Sequence, residues 1–464
     1  MSLRLYDTST RQVRDFVPLV PGCVSMYLCG ATVQAAPHIG HIRSNLNFDV
    51  MRRWFGYRGY QVTFVRNVTD IDDKVIEKER QLGTPWWEIA YTNERAFNDG
   101  YSALGCLPPS VEPRATGHVP EMIEMMQELI ARGHAYESGG NVYFAVTTYP
   151  DYLALSNQEL EHLRQPESAG ETGKRDPRDF AMWKRAKEGE PSWATPWGRG
   201  RPGWHLECSA MAHKYLGRAF DIHGGGLDLI FPHHENEIAQ SKAFGDDFAN
   251  FWVHNAWVTM AGEKMSKSLG NSVLISEMVQ RWRPIVLRYY LAGPHYRSMI
   301  EYSEESVREA ETGFARIEGF IQRVIEGCGP VDAAPEVPLS FAEAMDDDLG
   351  VPQALAVVHT AVRQGNSALT AGDKESAVAR LAEVRAMLGV LGLDPLDEQW
   401  AGADHGDDLR GVVDSLVQLV LEQRQAARAR KDFATSDAIR DQLGKAGLVI
   451  EDTPSGSRWT INNQ

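Results

Sequence analysis

The first part of the chain alternates short apolar runs with segments of helical periodicity. Residues 24–29 and 60–65 are apolar and rich in β-branched or aromatic side chains, which is typical of buried strands, and residues 40–55 between them have the pattern of a helix. A strand, a helix and a second strand at this spacing predict a βαβ unit and therefore a parallel sheet. Further strands are predicted at 219–223 and 251–258.

Residues 112–203 separate these predicted strands and have a different pattern. They contain a predicted helix at 119–131, a short predicted strand at 141–146, and a loop at 164–179 that is rich in glycine, proline and charged residues. We interpret the whole stretch as an insertion into the domain that contains the parallel sheet.

Beyond residue 270 the strand patterns almost vanish and helical periods dominate. Helices are predicted at 304–326, 340–369, 373–391, 409–431 and 434–444, and a short β pair at 448–451 and 458–461. The sequence therefore predicts a Rossmann-like α/β domain at 1–270, an α-helical region at 271–400, and a small mixed α/β domain at 401–464.

The composition is that of a globular chain with several hydrophobic cores. Hydrophobic residues make up 43% of the 464 positions, and twelve residues are tryptophan. No apolar run reaches the roughly 18 residues of a membrane span, and the first residues lack the layout of a signal peptide. The five cysteines are odd in number and widely spread, so a disulfide framework is not expected. We therefore expect a cytoplasmic protein with no membrane partner.

The formal net charge of −16 argues against general nucleic-acid binding, because non-specific affinity depends on neutralising phosphates. It does not exclude one RNA partner that binds through a local basic stretch. Arg424, Arg428, Arg430 and Lys431 form such a stretch on a predicted C-terminal helix, and Phe433 follows them. A solvated basic face is the ordinary explanation of a run of this kind.

A phosphate site is predicted where the first strand leads into a helix. His38 and His41 lie three residues apart at the predicted helix start, where free amide groups and the positive end of the helix dipole suit phosphate. Two imidazoles there can donate hydrogen bonds to phosphate oxygens as charge develops. The same residues could equally form an ordinary turn that caps and packs the helix.

A second candidate phosphate motif is the polar run Lys264-Met265-Ser266-Lys267-Ser268. Two lysines that bracket a serine can neutralise a triphosphate and the pyrophosphate that leaves it. Taken alone, the run is as well explained by a solvated surface loop. The two motifs occur together, in this order, within one predicted α/β domain, which is hard to attribute to coincidence.

Four further side chains are of the types that hold zinc. His233 and Glu237 lie four residues apart on one predicted helix, Cys208 begins another helical segment, and Cys29 closes the first strand. Two thiolates, one imidazole and one carboxylate form a plausible tetrahedral zinc set. The chain has no Cys-x-x-Cys pair, however, and both cysteines could equally be buried apolar residues.

A first strand that ends in a His-Ile-Gly-His turn, with a later Lys-Met-Ser-Lys-Ser run, resembles the class I aminoacyl-tRNA synthetases. The resemblance implies that an amino-acid carboxylate attacks the α-phosphate of ATP, which is bound with Mg²⁺, and releases pyrophosphate. It implies catalytic roles for both histidines and both lysines. It assigns ATP binding to His38, Gly40, His41, Lys264, Ser266 and Lys267.

The full set of motifs resembles one branch of that class, the cysteinyl-tRNA synthetase family. The resemblance covers essentially the whole chain and rests on residues 27–30, 67–74, 203–211 and 231–240. It implies L-cysteine, ATP and tRNA(Cys) as partners, a monomer, and one zinc ion that binds the substrate thiol directly. It assigns that ion to Cys29, Cys208, His233 and Glu237.

The same resemblance implies a pocket for the cysteinyl-adenylate and makes residues 401–464 an anticodon-binding domain. Asp228 would pair with the substrate ammonium, and Trp204 would form a wall, although Trp204 could also be an ordinary core residue. At Phe433 many relatives have tryptophan, and phenylalanine can still stack on a base. The pocket positions are Gly30, Thr32, Asn67, Thr69, Trp204 and Asp228.

Two other functions fit part of this pattern. A ligase that passes the same cysteinyl-adenylate to an amino-sugar would resemble only the catalytic part, and residues 409–464 favour the tRNA enzyme over it. A catalytically inactive relative that binds RNA is disfavoured, because the nucleotide motifs and the candidate metal ligands are intact.

Overall fold

The structure is a computed structural model that describes residues 2–159, 173–260, 262–265, 272–400, 406–446, 448–453 and 456–461. It divides the chain into two compact units, Met1–Asp397 and Glu398–Gln464. The domain boundaries expected near residues 270 and 400 stay predictions. Among the described residues, no helix is both long enough and apolar enough to cross a membrane.

The first unit begins with a small antiparallel hairpin and then the first two strands of a parallel sheet. Its elements are β1 (Arg4–Asp7), β2 (Gln12–Asp15), β3 (Cys23–Leu28), α1 (Ile39–Tyr57), β4 (Gln61–Arg66), α2 (Asp73–Leu82) and α3 (Trp86–Ala103). β3 and β4 pair in parallel from Cys23 opposite Gln61 to Leu28 opposite Arg66, and α1 is the crossover between them. The predicted βαβ unit is therefore confirmed.

A second, antiparallel sheet lies within the predicted insertion. Its elements are α4 (Val119–Ala131), β5 (Ala135–Ser138), β6 (Asn141–Phe144), β7 (Phe180–Arg185), β8 (Trp193–Thr195) and β9 (Gly198–Pro202), with strand order β5-β6-β7-β9-β8. Asp73, at the start of α2, accepts a hydrogen bond from Lys184 Nζ at 2.8 Å and pairs with Arg201. These ion pairs fasten the antiparallel sheet to the domain that contains the parallel one.

The chain then returns to the parallel sheet. The elements are α5 (Trp204–Leu216), β10 (Ala219–Gly226), α6 (Glu235–Phe244), β11 (Phe248–Asn255), β12 (Val258–Met260) and β13 (Glu263–Lys264). The strand order is β11-β10-β3-β4, and every neighbouring pair is parallel. The predicted α/β class with a Rossmann-like parallel sheet is confirmed.

The strand predicted at 251–258 is two strands rather than one. β11 ends at Asn255 and β12 begins at Val258, with Ala256 and Trp257 between them. The carbonyl oxygens of both intervening residues accept hydrogen bonds from Arg43 on α1, at 2.8 and 3.1 Å. The Arg43 side chain thus uses two carbonyl oxygens that would otherwise be available for strand pairing.

The remainder of the first unit is mainly helical. Its elements are α7 (Ile275–Arg281), α8 (Pro284–Ala292), β14 (Ile300–Glu301), α9 (Glu304–Cys328), α10 (Leu339–Asp346), α11 (Val351–Thr370) and α12 (Lys374–Leu391). The helix predicted at 340–369 is interrupted, because Asp348 and Leu349 have φ of +56° and +53°. The Asp348 carboxylate accepts hydrogen bonds from the Tyr6 amide and the Tyr296 hydroxyl. Both partners are far away in the sequence, so a local pattern could not predict these contacts.

The second unit contains two helices and one hairpin. Its elements are α13 (Gly406–Ala429), α14 (Phe433–Lys445), β15 (Leu448–Thr453) and β16 (Gly456–Ile461), and the two strands pair antiparallel. Phe433 is exposed at the start of α14, and Arg428, Arg430 and Lys431 are also exposed. Arg424 is buried, so the predicted basic stripe is not solvated along its whole length.

Arg288 on α8 ties several parts of the first unit together. Its guanidinium donates to the carbonyls of Leu104 and Leu391, both at 2.9 Å, and to the Asp49 carboxylate at 2.6 Å. Burial alone would raise the pKa of Asp49, but the charges of Arg288 and Arg53 outweigh burial and hold that pKa below its usual value. The buried guanidinium therefore joins α8 to α1 through an ion pair and to the C-terminal end of α12 through a hydrogen bond.

Replacing Arg288 with methionine is expected to lower the free energy of unfolding of the first unit by about 3 kcal/mol, because Asp49 would keep a buried charge with one partner fewer. Urea denaturation followed by circular dichroism measures the change. The control is Arg281→Met, which breaks an exposed ion pair with Glu304 and should cost less than about 1 kcal/mol. If both variants lost the same free energy of unfolding, Arg288 would not have this stabilising role.

Candidate active site and metal cluster

Several of the predicted site residues directly follow the carboxyl ends of β3 and β10. The Cys29 amide, directly after β3, donates to the Gly224 carbonyl in β10 at 3.1 Å, so the two strand ends stay side by side. In open parallel sheets this edge is where ligands bind. A Cβ atom at Gly224 would collide with the Phe48 ring, so glycine is needed for this close packing.

Four of the six predicted pocket residues form one hydrogen-bonded group beside this edge. The Gly30 amide donates to Asn67 Oδ1 at 2.7 Å, and Asn67 Nδ2 donates to Thr69 Oγ1 at 3.3 Å. Thr32 and Thr69 form an isolated parallel bridge. A Cβ atom on Gly30 would collide with the Asn67 carbonyl, so this position accepts only glycine.

The other two predicted pocket residues, Trp204 and Asp228, lie on neighbouring segments. Trp204 begins α5, and its ring stacks on His233 with centroids 4.1 Å apart. Asp228 lies in the turn after β10 and accepts a hydrogen bond from Trp257 Nε1 at 3.1 Å. Trp204 is only half-buried and packs on a candidate metal ligand, so it is not simply a core residue.

The four predicted metal ligands form one cluster, in which all the candidate donor atoms lie within 4.8 Å of one another. Cys29 Sγ is 3.7 Å from Cys208 Sγ and 3.3 Å from Glu237 Oε1, and His233 Nε2 is 3.1 Å from Glu237 Oε1. Cys208, His233 and Glu237 are fully buried. Cys29 follows β3, Cys208 lies in α5, His233 lies in the turn before α6, and Glu237 lies in α6. Donor atoms that converge in this way can hold a metal ion.

Burial shifts the pKa of three of these donors. It raises the pKa of both the Cys29 and Cys208 thiols, and it lowers the pKa of His233 well below its usual value. A neutral imidazole is the form that coordinates metal, whereas a thiol must lose its proton. The cluster is therefore ready to supply a nitrogen ligand, and a bound cation would be needed to hold the sulfurs as thiolates.

Further buried histidines surround the cluster, and none of them is among the predicted site residues. His223 Nε2 lies 2.9 Å from Glu237 Oε2, and His205 Nδ1 lies 2.9 Å from His233 Nδ1. His234 contacts His254 at 2.8 Å between ring nitrogens. Burial lowers the pKa of His205 and of His254 to about 3, so both rings are neutral. Two of these histidines could have been found from their sequence positions next to candidate ligands: His205 lies three residues before Cys208, and His234 follows His233.

Two of these histidines, His223 and His234, form a second possible donor set with Cys29 and Glu237. It shares Cys29 and Glu237 with the first set, so both cannot be complete at once. The first set contains two thiols, which zinc favours, and it leaves His223 free to hydrogen-bond Glu237. The first set is therefore the better candidate for a metal site, and His223 is placed to orient the Glu237 carboxylate.

The first phosphate motif forms the start of α1. His38 is the N-cap residue, its Nδ1 accepts a hydrogen bond from the Gly40 amide at 3.1 Å, and its ring stacks on His41 at 3.7 Å. Both rings thus lie together at a helix N-terminus, as predicted. The capping role that was the ordinary alternative is also present, and it fixes the rings in place.

The main chain that follows the second motif is hydrogen-bonded to the first motif. Val273 O accepts from the Ile39 amide at 3.0 Å, and the Ile275 amide donates to Pro37 O at 3.2 Å. On the N-terminal side, Lys264 lies in β13. Ser266, Lys267 and Ser268 lie outside the described residues.

Comparison with known proteins gives matches over most of the chain. Three family models match: tRNA synthetases class I (C) catalytic domain at residues 15–312, DALR domain at 340–395, and Cysteinyl-tRNA ligase anticodon binding domain at 413–459. The chain is 78% identical over 463 residues to a cysteine–tRNA ligase of Streptomyces avermitilis and 76% identical over 463 residues to one of Streptomyces griseus. Each match covers 99% of this chain and 99% of the relative.

Among solved structures, the fold is similar to methionyl-tRNA synthetase of Mycobacterium tuberculosis in complex with methionyl-adenylate. The TM-score is 0.59 at 16% identity, over 81% of this chain and 90% of that one. The fold and the nucleotide motif are thus those of a class I aminoacyl-tRNA synthetase. Within that class, the chain belongs to the cysteinyl-tRNA synthetase family.

Proposed function

We propose that this chain is a cysteine–tRNA ligase that forms cysteinyl-adenylate and pyrophosphate from L-cysteine and ATP, and then transfers cysteine to the 3′ end of tRNA(Cys). The observation that carries the proposal is the buried cluster of Cys29, Cys208, His233 and Glu237, which begins one residue before the pocket position Gly30. Cys29, which would help to select the substrate thiol, and the His38–His41 turn, which would bind phosphate, thus lie on the one segment that connects β3 to α1.

The donor types of the cluster fit zinc, which when bound would hold a substrate thiol as its thiolate. Four protein ligands usually make a closed site, so the substrate sulfur must add a fifth ligand or displace one. Serine is nearly isosteric with cysteine, but its hydroxyl is a harder ligand that ionises far less readily. Selection by sulfur chemistry can therefore exceed the roughly 10–200-fold that a methylene-sized difference provides.

The chain's own residues would orient the rest of the substrate. The Asp228 carboxylate is suited to the cysteine ammonium, and Trp204 forms a wall against the ligand His233. Gly30, Thr32, Asn67 and Thr69 line the adenylate, and Gly30 allows the ligand to approach the main chain. With the ammonium and the sulfur both held, the substrate carboxylate has little freedom left.

The phosphates would be bound at the start of α1. There His38 and His41 donate hydrogen bonds to phosphate oxygens next to the Gly40 amide, and the helix dipole favours the negative charge. The substrate carboxylate oxygen attacks the α-phosphorus, and the bond to the β-phosphate bridging oxygen breaks, so that pyrophosphate leaves. Lys264 and Lys267 would neutralise the triphosphate, which is bound with Mg²⁺, and the Ser266 hydroxyl would donate a hydrogen bond to it.

In the second step a terminal hydroxyl of tRNA(Cys) attacks the cysteinyl carbonyl and AMP leaves. The match of residues 413–459 to an anticodon-binding domain supports tRNA as the acceptor rather than an amino-sugar. In that region Phe433 has a 61% exposed side chain that could stack on a base. A cytoplasmic location and a monomeric state stay predictions.

Metal-replete protein is expected to exchange pyrophosphate into ATP in the presence of cysteine and without tRNA. Exchange with serine, compared by kcat/KM, should be weaker by more than about 200-fold, because the pocket selects sulfur and not only size. The absence of cysteine-dependent exchange would refute the adenylation step. In the same preparation, labelled cysteine should be taken up by tRNA(Cys) and not by an amino-sugar.

Replacing Cys208 with serine is expected to remove most of the bound zinc, measured by mass spectrometry of the purified protein, because one of two soft ligands is lost. Cysteine binding should weaken at least about tenfold, as expected for loss of a ligand, while ATP binding is kept. The matched control is Cys328→Ser, which changes a cysteine outside the cluster and should keep the metal. Equal metal content in the two variants would show that Cys208 is not a ligand.

A chain that ends at Asp397, the last residue of the first unit, is expected to keep cysteine-dependent pyrophosphate exchange within about twofold. Its rate of cysteinyl-tRNA formation should fall by at least about tenfold, which corresponds to the loss of only about 1.4 kcal/mol of tRNA contacts. The two rates are measured on one preparation, so that exchange reports on folding. Unimpaired transfer would place the essential tRNA contacts in the first unit.

A further inference from the structure

Arg43 is a fully buried arginine on α1, two residues after His41. Its guanidinium donates four hydrogen bonds, all to main-chain carbonyls. Nη1 reaches Ala256 O and Trp257 O at 2.8 and 3.1 Å, and Nη2 reaches His295 O and Ser298 O at 3.2 and 2.7 Å. Among the described residues no carboxylate forms an ion pair with it.

This burial is energetically unfavourable. A buried charge without a counter-ion is costly even when carbonyls solvate it, and burial lowers the pKa of Arg43 to about 10. Its Nε atom, in addition, has no hydrogen-bond partner in the described structure. An apolar side chain of similar length would fill the same volume without these costs, so packing alone does not account for an arginine here.

The four carbonyls belong to two segments that lead into neighbouring strands. Ala256 and Trp257 immediately precede β12, and His295 and Ser298 precede β14, which pairs in parallel with β12. β12 pairs on its other side with β13, where Thr259 lies opposite Lys264. One guanidinium thus joins the helix that begins with the two histidines to the strands that position Lys264.

We propose that Arg43 is a positioning residue for adenylate formation, which sets the spacing between the His38–His41 turn and the β12–β13 strands that bear Lys264. The inference rests on the proposed function, since it supposes that both motifs bind one ATP molecule. Arg43 is placed to act through main-chain position and not by contact with substrate. It should therefore affect the chemical step more than the binding of cysteine, whose sulfur would be held at the separate metal cluster.

The test is Arg43→Lys, which keeps the positive charge and the aliphatic part of the side chain. Lysine has a single nitrogen, whereas two nitrogens of Arg43 donate to four carbonyls. The kcat of cysteine-dependent pyrophosphate exchange should fall by at least about tenfold, because a small displacement of reacting groups costs rate steeply. The KM for cysteine and the metal content should stay within about twofold of the parent. Arg43→Gln, which removes the buried charge and keeps one amide donor, provides a second variant and should show the same split.

The matched control is Arg288→Lys, which alters another fully buried guanidinium. The two carbonyl acceptors of Arg288 are those of Leu104 and Leu391, which belong to neither motif. The control variant should lose thermal stability to a similar extent and keep kcat within about twofold. If the Arg43 variants keep the parent kcat, or if kcat falls equally in the Arg288 variant of the same stability, Arg43 has only a packing role. If the parent protein itself shows no exchange, the proposed function fails, and that result is separate from the behaviour of Arg43.

Discussion

One main-chain hydrogen bond, from the Cys29 amide to the Gly224 carbonyl, is the contact on which the site depends. It extends the parallel pairing of β3 and β10 by one residue past the end of β3, so Cys29 is held at the sheet edge and does not enter a free loop. Cys208 in α5, His233 in the turn before α6, and Glu237 in α6 meet Cys29 at that edge. The glycines of β10 make this possible, because side chains at Gly224 and Gly225 would collide with Phe48 and His234.

Buried polar groups, more than apolar packing, define the geometry around this contact. Glu237 is completely buried and lies within hydrogen-bond distance of ring nitrogens on His223 and His233. Partners of this kind are required, since an unpaired buried carboxylate would take up a proton or destabilise the fold. The same principle applies further from the site, where Arg43 and Arg288 each hold several main-chain carbonyls. Hydrogen bonds between buried groups restrict the arrangements that the connected segments can adopt.

The local sequence patterns predicted much of this arrangement, and the limit of prediction has a physical origin. Periodicity and helix-start preferences, which are properties of neighbouring residues, predict strands β3 and β4, the helix between them and the helix start near His38. They do not predict the interruptions at Ala256 and Asp348, because each interruption depends on hydrogen bonds to residues more than forty positions away. For the same reason His223 and Arg43 carried no sequence signal, whereas the spacing of His233 and Glu237 did.

In the proposed reaction, recognition of the amino acid and its reactivity cannot be separated. The sulfur of cysteine and its carboxylate carbon are joined through only two carbon atoms, so a sulfur held at the metal cluster leaves the carboxylate a short and restricted reach. The phosphates are fixed independently by the turn that begins α1, and reaction requires the attacking oxygen to come within about 3–3.5 Å of phosphorus. A serine hydroxyl that is not held by the cluster would lose both binding and this alignment. Discrimination therefore acts on the transition state as well as on the bound ground state, which is how a single site can be selective without a second, hydrolytic one.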